Sequence, residues 1–129
     1  MKAFIIAAVL AFAAAPSAAQ SPHTHQHSFE DAQKWAKVFD DPERDAGEER
    51  HEGIKALALK PDAIVAEIGA GTGYFSIRLA HMLPQGRVYA IDTEPGMVKH
   101  LAERAKRDGL PNVTAAHGTP DDPRLPEKA

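Results

Sequence analysis

Two amphipathic segments have apolar residues at helical spacing. They are the first segments of the chain that can contribute to a hydrophobic core. The first carries its apolar residues on one face, at Ala32, Trp35, Ala36 and Phe39. It is expected to end near Asp40-Asp41-Pro42. The second runs from about Asp45 to Leu59 and ends at Lys60-Pro61-Asp62. The pattern predicts two N-terminal helices within residues 31–60.

After Pro61 the pattern of apolar positions becomes strand-like and then alternates with further helical segments. The predicted strands are Ala63–Ile68, Arg87–Asp92 and Asn112–His117, and the predicted helices are Tyr74–Leu83 and Gly96–Arg107. The first strand is an apolar run typical of a strand buried in a parallel sheet. Alternating strands and helices predict an α/β fold with a parallel sheet and right-handed crossovers. Residues 61–129 are therefore expected to form an incomplete sheet of about three strands, with one poorly covered face.

The first nineteen residues have the layout of a secretory signal peptide. Lys2 precedes an apolar run from Ala3 to Ala15, which is shorter than the roughly 20 residues that cross a bilayer. Ser17-Ala18-Ala19 supplies the small residues of a cleavage site. The alternative is an uncleaved N-terminal anchor. We expect cleavage after Ala19, export to the periplasm, and no stable membrane span afterwards.

Residues 20–30 are mostly polar and are expected to form a flexible arm. His23, His25 and His27 alternate within it, which is a pattern able to chelate a metal. A solvated tail is the favoured interpretation, and no metal is expected.

The amino-acid composition of the chain argues against two classes of function. The chain has 129 residues, with 15 Lys and Arg against 18 Asp and Glu, and a formal net charge of −3. This mild acidity argues against a nucleic-acid partner bound through its phosphates. The absence of cysteine excludes disulfides and thiolate chemistry.

The candidate chemistry lies where the first predicted strand meets the following helix. Glu67 precedes a glycine-rich turn that contains Gly69, Gly71 and Gly73. Glycines at a helix N-terminus allow a ligand to approach the backbone N–H groups closely. Asp92 ends the second strand about 20 residues later, where a carboxylate can bind the hydroxyls of a ribose. Both signals fit one nucleoside-containing ligand.

The third glycine position discriminates between ligands. A dinucleotide fingerprint, Gly-x-Gly-x-x-Gly, would require glycine where this chain has Tyr74. Glu67 to Gly73 instead resembles the first motif of the class I S-adenosylmethionine-dependent methyltransferases, acid-x-Gly-x-Gly-x-Gly. The resemblance spans about Ala63 to Asp122, and residues 38–44 resemble the lead-in of exported bacterial methyltransferase-like proteins.

The resemblance implies a Rossmann-like fold, S-adenosylmethionine as cofactor, and a role for each motif residue. The glycines would lie under the adenosine and methionine portions, Glu67 would help to hold the amino-acid end, and Asp92 would bind the ribose. Asp122, or its neighbour Asp121, would approach the adenine amine. Carboxylates suit this ligand because its sulfur is cationic.

The resemblance covers the N-terminal half of such a domain, since seven strands are usual in the family and about three are expected here, so the sequence is interpreted as a fragment or a truncated chain. The implied activity is methyl transfer to an unidentified acceptor, and no catalytic residue is assigned. Two alternatives stay open. The chain could be an exported non-catalytic nucleoside-binding or remnant protein, or an enzyme that uses a nicotinamide cofactor.

Overall fold

The computed structural model describes Phe29, residues 31–44 and residues 49–126. The predicted signal peptide and the three alternating histidines lie outside the described residues, and within the predicted arm Phe29 alone is described. The helices and strands follow in the order α1 (Ala32–Phe39), α2 (Arg50–Ala56), β1 (Ile64–Ile68), α3 (Tyr74–Met82), β2 (Arg87–Asp92), α4 (Pro95–Arg107) and β3 (Val113–His117).

The three strands form one parallel sheet in the order β1-β2-β3. Its register pairs Val65 with Val88 and Ile68 with Ile91, and places Asp92 opposite His117. The carboxyl ends of all three strands therefore lie at the same edge of the sheet. The predicted incomplete α/β fold is confirmed.

Helices α3 and α4 cover the same face of the sheet. Leu79 of α3 packs in a cluster with Val88, and Leu101 of α4 packs with Ala90. Val88 and Ala90 are two residues apart on β2, so their side chains point to one face. The core lies between this face and the two helices.

The apolar run of β1 predicted a buried strand, but one face of β1 is exposed and belongs to the poorly covered face that was expected for the sheet. Ile64 is 57% exposed and Ile68 is 67% exposed, whereas Val65 and Glu67 are partly buried. An apolar run shows which surface a strand could bury, but burial also requires an element packed against it. Within the described part of the chain, nothing covers Ile64 and Ile68.

Helix α2 is shorter than the predicted stretch from Asp45 to Leu59. Residues 45–48 lie outside the described residues, and the helix ends at Ala56. Ala58 then takes a left-handed conformation with φ +46°, which α-helical geometry does not allow. Among the described helices, none has the length and apolar character needed to cross a membrane.

Candidate functional site

The turn between β1 and α3 places three glycines in the left-handed region of backbone space. The φ angles are +75° at Gly69, +57° at Gly71 and +93° at Gly73. Residues with a side chain are strained there, which explains why this turn uses glycine at every second position. The turn begins at the carboxyl end of β1, where the sequence predicted the chemistry.

Asp92 is bonded directly to this glycine turn. Its Oδ2 accepts a hydrogen bond of 2.8 Å from the backbone N–H of Gly71, and its Oδ1 accepts one of 2.9 Å from Glu94 N–H. Each carboxylate oxygen has a second lone pair that remains able to accept a hydrogen bond. The two sequence signals, the glycines and the acid after β2, thus form a single structural unit.

A cavity of about 490 Å³ opens beside this unit. Its lining comes from the turn, the end of β2, the start of α4, the loop after β3 and two aromatic residues. The lining residues are Phe29, Phe39, Ile68, Gly69, Gly71, Ile91, Asp92, Thr93, Glu94, Met97, Thr119, Pro120, Asp121 and Pro123. Its charged lining residues are all acids. The cavity therefore offers carboxylates and backbone groups on an otherwise apolar wall.

A second cavity of about 250 Å³ adjoins the first, because Phe39, Gly69 and Gly71 line both. The residues that line the second cavity alone are Arg44, Arg50, Glu67, Ala70, Thr72, Tyr74 and Phe75. This smaller cavity brings cationic side chains and a carboxylate to the same turn.

Glu67 is the carboxylate of the smaller cavity. Its Oε2 accepts a hydrogen bond from the hydroxyl of Ser76, a fully buried residue of α3. Burial raises the pKa of Glu67 above its usual value, the hydrogen bond from Ser76 opposes that rise, and the negative charge of Asp92 adds to it. A cation close to Glu67 would therefore stabilise the ionised form of its carboxyl group.

Gly73 lines neither cavity. A Cβ atom at this position would lie 3.2 Å from Cγ of Leu101 in α4. The described structure therefore gives Gly73 a packing role, as the residue that lets the start of α3 approach α4. Its predicted contact with the ligand stays a prediction.

The two acids after β3 differ in position. Asp121 lines the larger cavity, whereas Asp122 is not among its lining residues. The Oδ1 atom of Asp122 accepts a hydrogen bond of 2.7 Å from the backbone N–H of Arg124, which holds that carboxylate within its own loop. The role predicted for Asp122 stays a prediction, and the geometry favours Asp121 as the acid nearer to a ligand.

The sequence placed Trp35 and Phe39 on the apolar face of the first helix, but it assigned no role at the site to Phe39, Arg44 or Arg50. The ring of Trp35 lies 4.9 Å from that of Phe29 and 5.5 Å from that of Phe39, between centroids, so Trp35 packs as expected. Phe39 continues this aromatic cluster to the turn, where a Cβ on Gly71 would lie 3.7 Å from its Cε2. The sequence held one indication of these residues, because the segment of residues 38–44, which resembles the lead-in of methyltransferase-like proteins, contains Phe39 and ends in Arg44.

A metal centre is not indicated by the part of the chain that the structure describes. There, no three His, Asp or Glu side chains are grouped as they would be to hold a metal ion.

Comparison with known proteins places this geometry in a family. Residues 65–129, about half of the chain, match the model of a family described as methyltransferase domain. A crystal structure of a SAM-dependent methyltransferase from Aquifex aeolicus superposes with a TM-score of 0.65 and 32% identity, covering 74% of this chain and 51% of that one.

Two curated relatives match over shorter stretches. A protein-L-isoaspartate O-methyltransferase of Ignicoccus hospitalis is 35% identical over 66 residues, which are 50% of this chain and 31% of the relative. A release factor glutamine methyltransferase of Moorella thermoacetica is 41% identical over 46 residues, which are 36% of this chain and 16% of the relative. The chain spans about a third or less of these relatives. It belongs to the methyltransferase-domain family, within the class I S-adenosylmethionine-dependent methyltransferases.

Proposed function

We propose that the chain binds S-adenosylmethionine across the two adjoining cavities and that the protein transfers the methyl group to an acceptor. The observation that carries this proposal is the carboxylate of Asp92, which accepts a hydrogen bond of 2.8 Å from Gly71 N–H and lines the larger cavity. A carboxylate at the end of a second parallel strand is placed to bind both hydroxyls of a ribose.

The residues present fit this cofactor. A Cβ added to Gly69 would meet no atom within 4 Å, so the turn leaves open space where a ligand can approach the backbone. The larger cavity, at about 490 Å³, lies within the range of roughly 300–1,000 Å³ that is usual for small-molecule sites. Asp92 would hold the ribose, the turn would lie along the ligand, and Glu67 would face its ammonium group. Carboxylates at both ends suit a cationic ligand.

When bound, the cofactor supplies an activated methyl group on a sulfonium. The role of this chain is to bind and orient the donor, because methyl transfer depends mainly on the proximity and alignment of the two reactants. The names of the relatives specify different acceptors, so they favour no single acceptor for this protein.

The binding step is tested by calorimetric titration of the chain with S-adenosylhomocysteine, the demethylated product, in competition with NAD. Saturable binding that NAD does not displace is expected. Binding of NAD in preference to S-adenosylhomocysteine would support the nicotinamide alternative. Binding without transfer of a labelled methyl group to any protein, lipid or small-molecule acceptor would favour the non-catalytic alternative.

We also propose that the protein is exported to the periplasm and cleaved after Ala19. The support is the pattern of residues 1–19, in which Lys2 precedes an apolar run and a small-residue cleavage site. The intact mass of the product of the native gene tests this proposal. We expect the mass of the product to be lower than that of the unprocessed chain by the mass of residues 1–19. The full mass of the unprocessed chain would contradict cleavage.

A further inference from the structure

The smaller cavity differs from the larger one in the sign of the charges that line it. Arg44 and Arg50 line the smaller cavity together with Glu67, whereas the charged residues of the larger cavity are all acids. Both arginines precede residues 65–129, which the family model matches, so that match assigns them no role. Arg44, on the segment before α2, and Arg50, on α2, thus bring two cationic side chains to a site whose carboxylate comes from β1.

Arg50 is the more buried of the two arginines, with 8% of its surface exposed. Its guanidinium carbon lies 4.7 Å from the centroid of the Tyr74 ring, and its Nη1 donates a hydrogen bond of 3.2 Å to the carbonyl oxygen of Phe39. These contacts orient the guanidinium before a ligand arrives. Because the side chain is buried, its attraction for an anion is screened less than it would be in water.

The chemical groups of S-adenosylmethionine, the methyl donor, match the different charges that line the two cavities. Its nucleoside end has neutral hydroxyls, which can donate hydrogen bonds to the carboxylate of Asp92. Its amino-acid end carries a carboxylate and an ammonium group at neutral pH. A carboxylate would be repelled by the acids of the larger cavity, and the planar guanidinium of arginine is the side chain best shaped to bind it.

We propose, resting on the function proposed above, that Arg50 binds the α-carboxylate of S-adenosylmethionine in the smaller cavity. Arg44 is the second cation of that subsite, and Glu67 is the partner of the α-ammonium group. The subsite therefore recognises an α-amino acid as a zwitterion, through residues on α2, on the segment before it and on β1.

The chain offers a matched control for Arg50. Arg78 also stacks on Tyr74, with its guanidinium carbon 3.7 Å from the ring centroid, but it lines neither cavity. Arg50→Met and Arg78→Met each remove one guanidinium from the same aromatic ring. Each variant is titrated with S-adenosylhomocysteine and with 5′-methylthioadenosine, a thioether that lacks the amino-acid end.

Arg50→Met is expected to weaken binding of S-adenosylhomocysteine by about tenfold or more, as for the loss of a charge-assisted hydrogen bond. Its affinity for 5′-methylthioadenosine should match that of the wild type, and Arg78→Met should leave both affinities unchanged. An unchanged affinity of Arg50→Met for S-adenosylhomocysteine, or an equal loss for both ligands, would overturn the proposal.

A measurement on the unmutated chain covers the case in which Arg50→Met does not fold. The decarboxylated analogue of S-adenosylhomocysteine keeps the amine and lacks only the carboxylate. We expect this analogue to bind at least about tenfold more weakly than S-adenosylhomocysteine. Equal binding of the two ligands overturns the carboxylate subsite alone, whereas binding of neither ligand nor of 5′-methylthioadenosine contradicts the proposed function itself.

Discussion

Arg104 of α4 and Asp40, at the end of α1, form an ion pair in which Nη1 lies 2.8 Å from Oδ2. The same Nη1 donates a hydrogen bond of 3.2 Å to the carbonyl oxygen of Thr72 in the glycine turn. One guanidinium nitrogen therefore connects the N-terminal helix, the turn and α4. This connection holds Phe39, the neighbour of Asp40, at the boundary of the two cavities.

A double-mutant cycle on Arg104→Gln and Asp40→Asn is expected to give a coupling free energy of about 0.5–1 kcal/mol. The side chains are 15% and 34% exposed, so water screens the pair only in part. Arg104→Gln should cost more than Asp40→Asn, because it also removes the bond to Thr72. Urea unfolding of the four proteins measures these differences.

The control for that cycle is the ion pair of Lys55 with Glu52 on α2, at 3.2 Å, whose side chains are 56% and 69% exposed. Its coupling is expected to be smaller, at about 0.5 kcal/mol or less. Equal couplings for the two pairs would show that the Arg104 contact does not fix α1 to the turn.

Alanine substitutions separate the two kinds of glycine in the turn. Gly71→Ala and Gly73→Ala both force a side chain into the left-handed region, at a cost of about 1–2 kcal/mol each. A Cβ at position 73 would also crowd Leu101 at 3.2 Å, whereas one at position 71 would meet Phe39 at an ordinary 3.7 Å. Gly73→Ala should therefore lower the free energy of unfolding more. Equal losses in denaturant titrations would contradict the packing role of Gly73.

Asp92→Ala is expected to weaken binding of S-adenosylhomocysteine by about 1.5–3 kcal/mol, because charge-assisted bonds to the ribose are lost. Asp92→Asn keeps an oxygen that can accept from Gly71 and should preserve more of the turn. Asp62→Asn serves as a control, since Asp62 is exposed and lines neither cavity. Calorimetric titration gives the three affinities, and an unchanged affinity of Asp92→Ala would exclude the ribose role.

The raised pKa of Glu67 gives a pH dependence of stability. Burial is the main cause of the raised pKa, so the folded chain binds a proton more tightly there than the unfolded chain does. Stability contributed by this group is then present at low pH and is lost as pH rises from the usual value of 4.5 through the folded pKa.

Glu67→Gln cannot ionise, and its amide oxygen can still accept from Ser76. The variant is therefore expected to be more stable than the wild type at neutral pH, with a flatter dependence of unfolding free energy on pH. Glu103→Gln, on the exposed side of α4, is the control. Parallel pH profiles for wild type and Glu67→Gln, from urea unfolding at each pH, would contradict the burial effect.

The elements of the α/β unit were predictable because their apolar positions follow the helical or strand period. β2, for example, runs from Arg87 to Asp92 as predicted. The proximity of Asp92 to the glycines also followed from the sequence, since the carboxyl ends of neighbouring parallel strands meet at one edge.

The position of Arg50 could not be predicted in this way. Its place in the smaller cavity depends on how α2 packs beside Tyr74, and no local periodicity encodes that packing. The role of Gly73 was likewise hidden, because its partner Leu101 lies on a later helix. A poorly covered face of the sheet was expected, but the apolar run of β1 did not show that Ile64 lies on that face, since the apolar character of a residue does not reveal whether another element packs against it.

The double backbone contact of Asp92 also bears on the entropy of binding. Because Gly71 and Glu94 already bond to its two oxygens, the carboxylate is immobilised when the chain folds. No rotamer of this side chain has to be frozen when a ribose arrives. The side chain of Asp92 therefore loses its conformational entropy during folding, and the ligand binds to a preorganised acceptor.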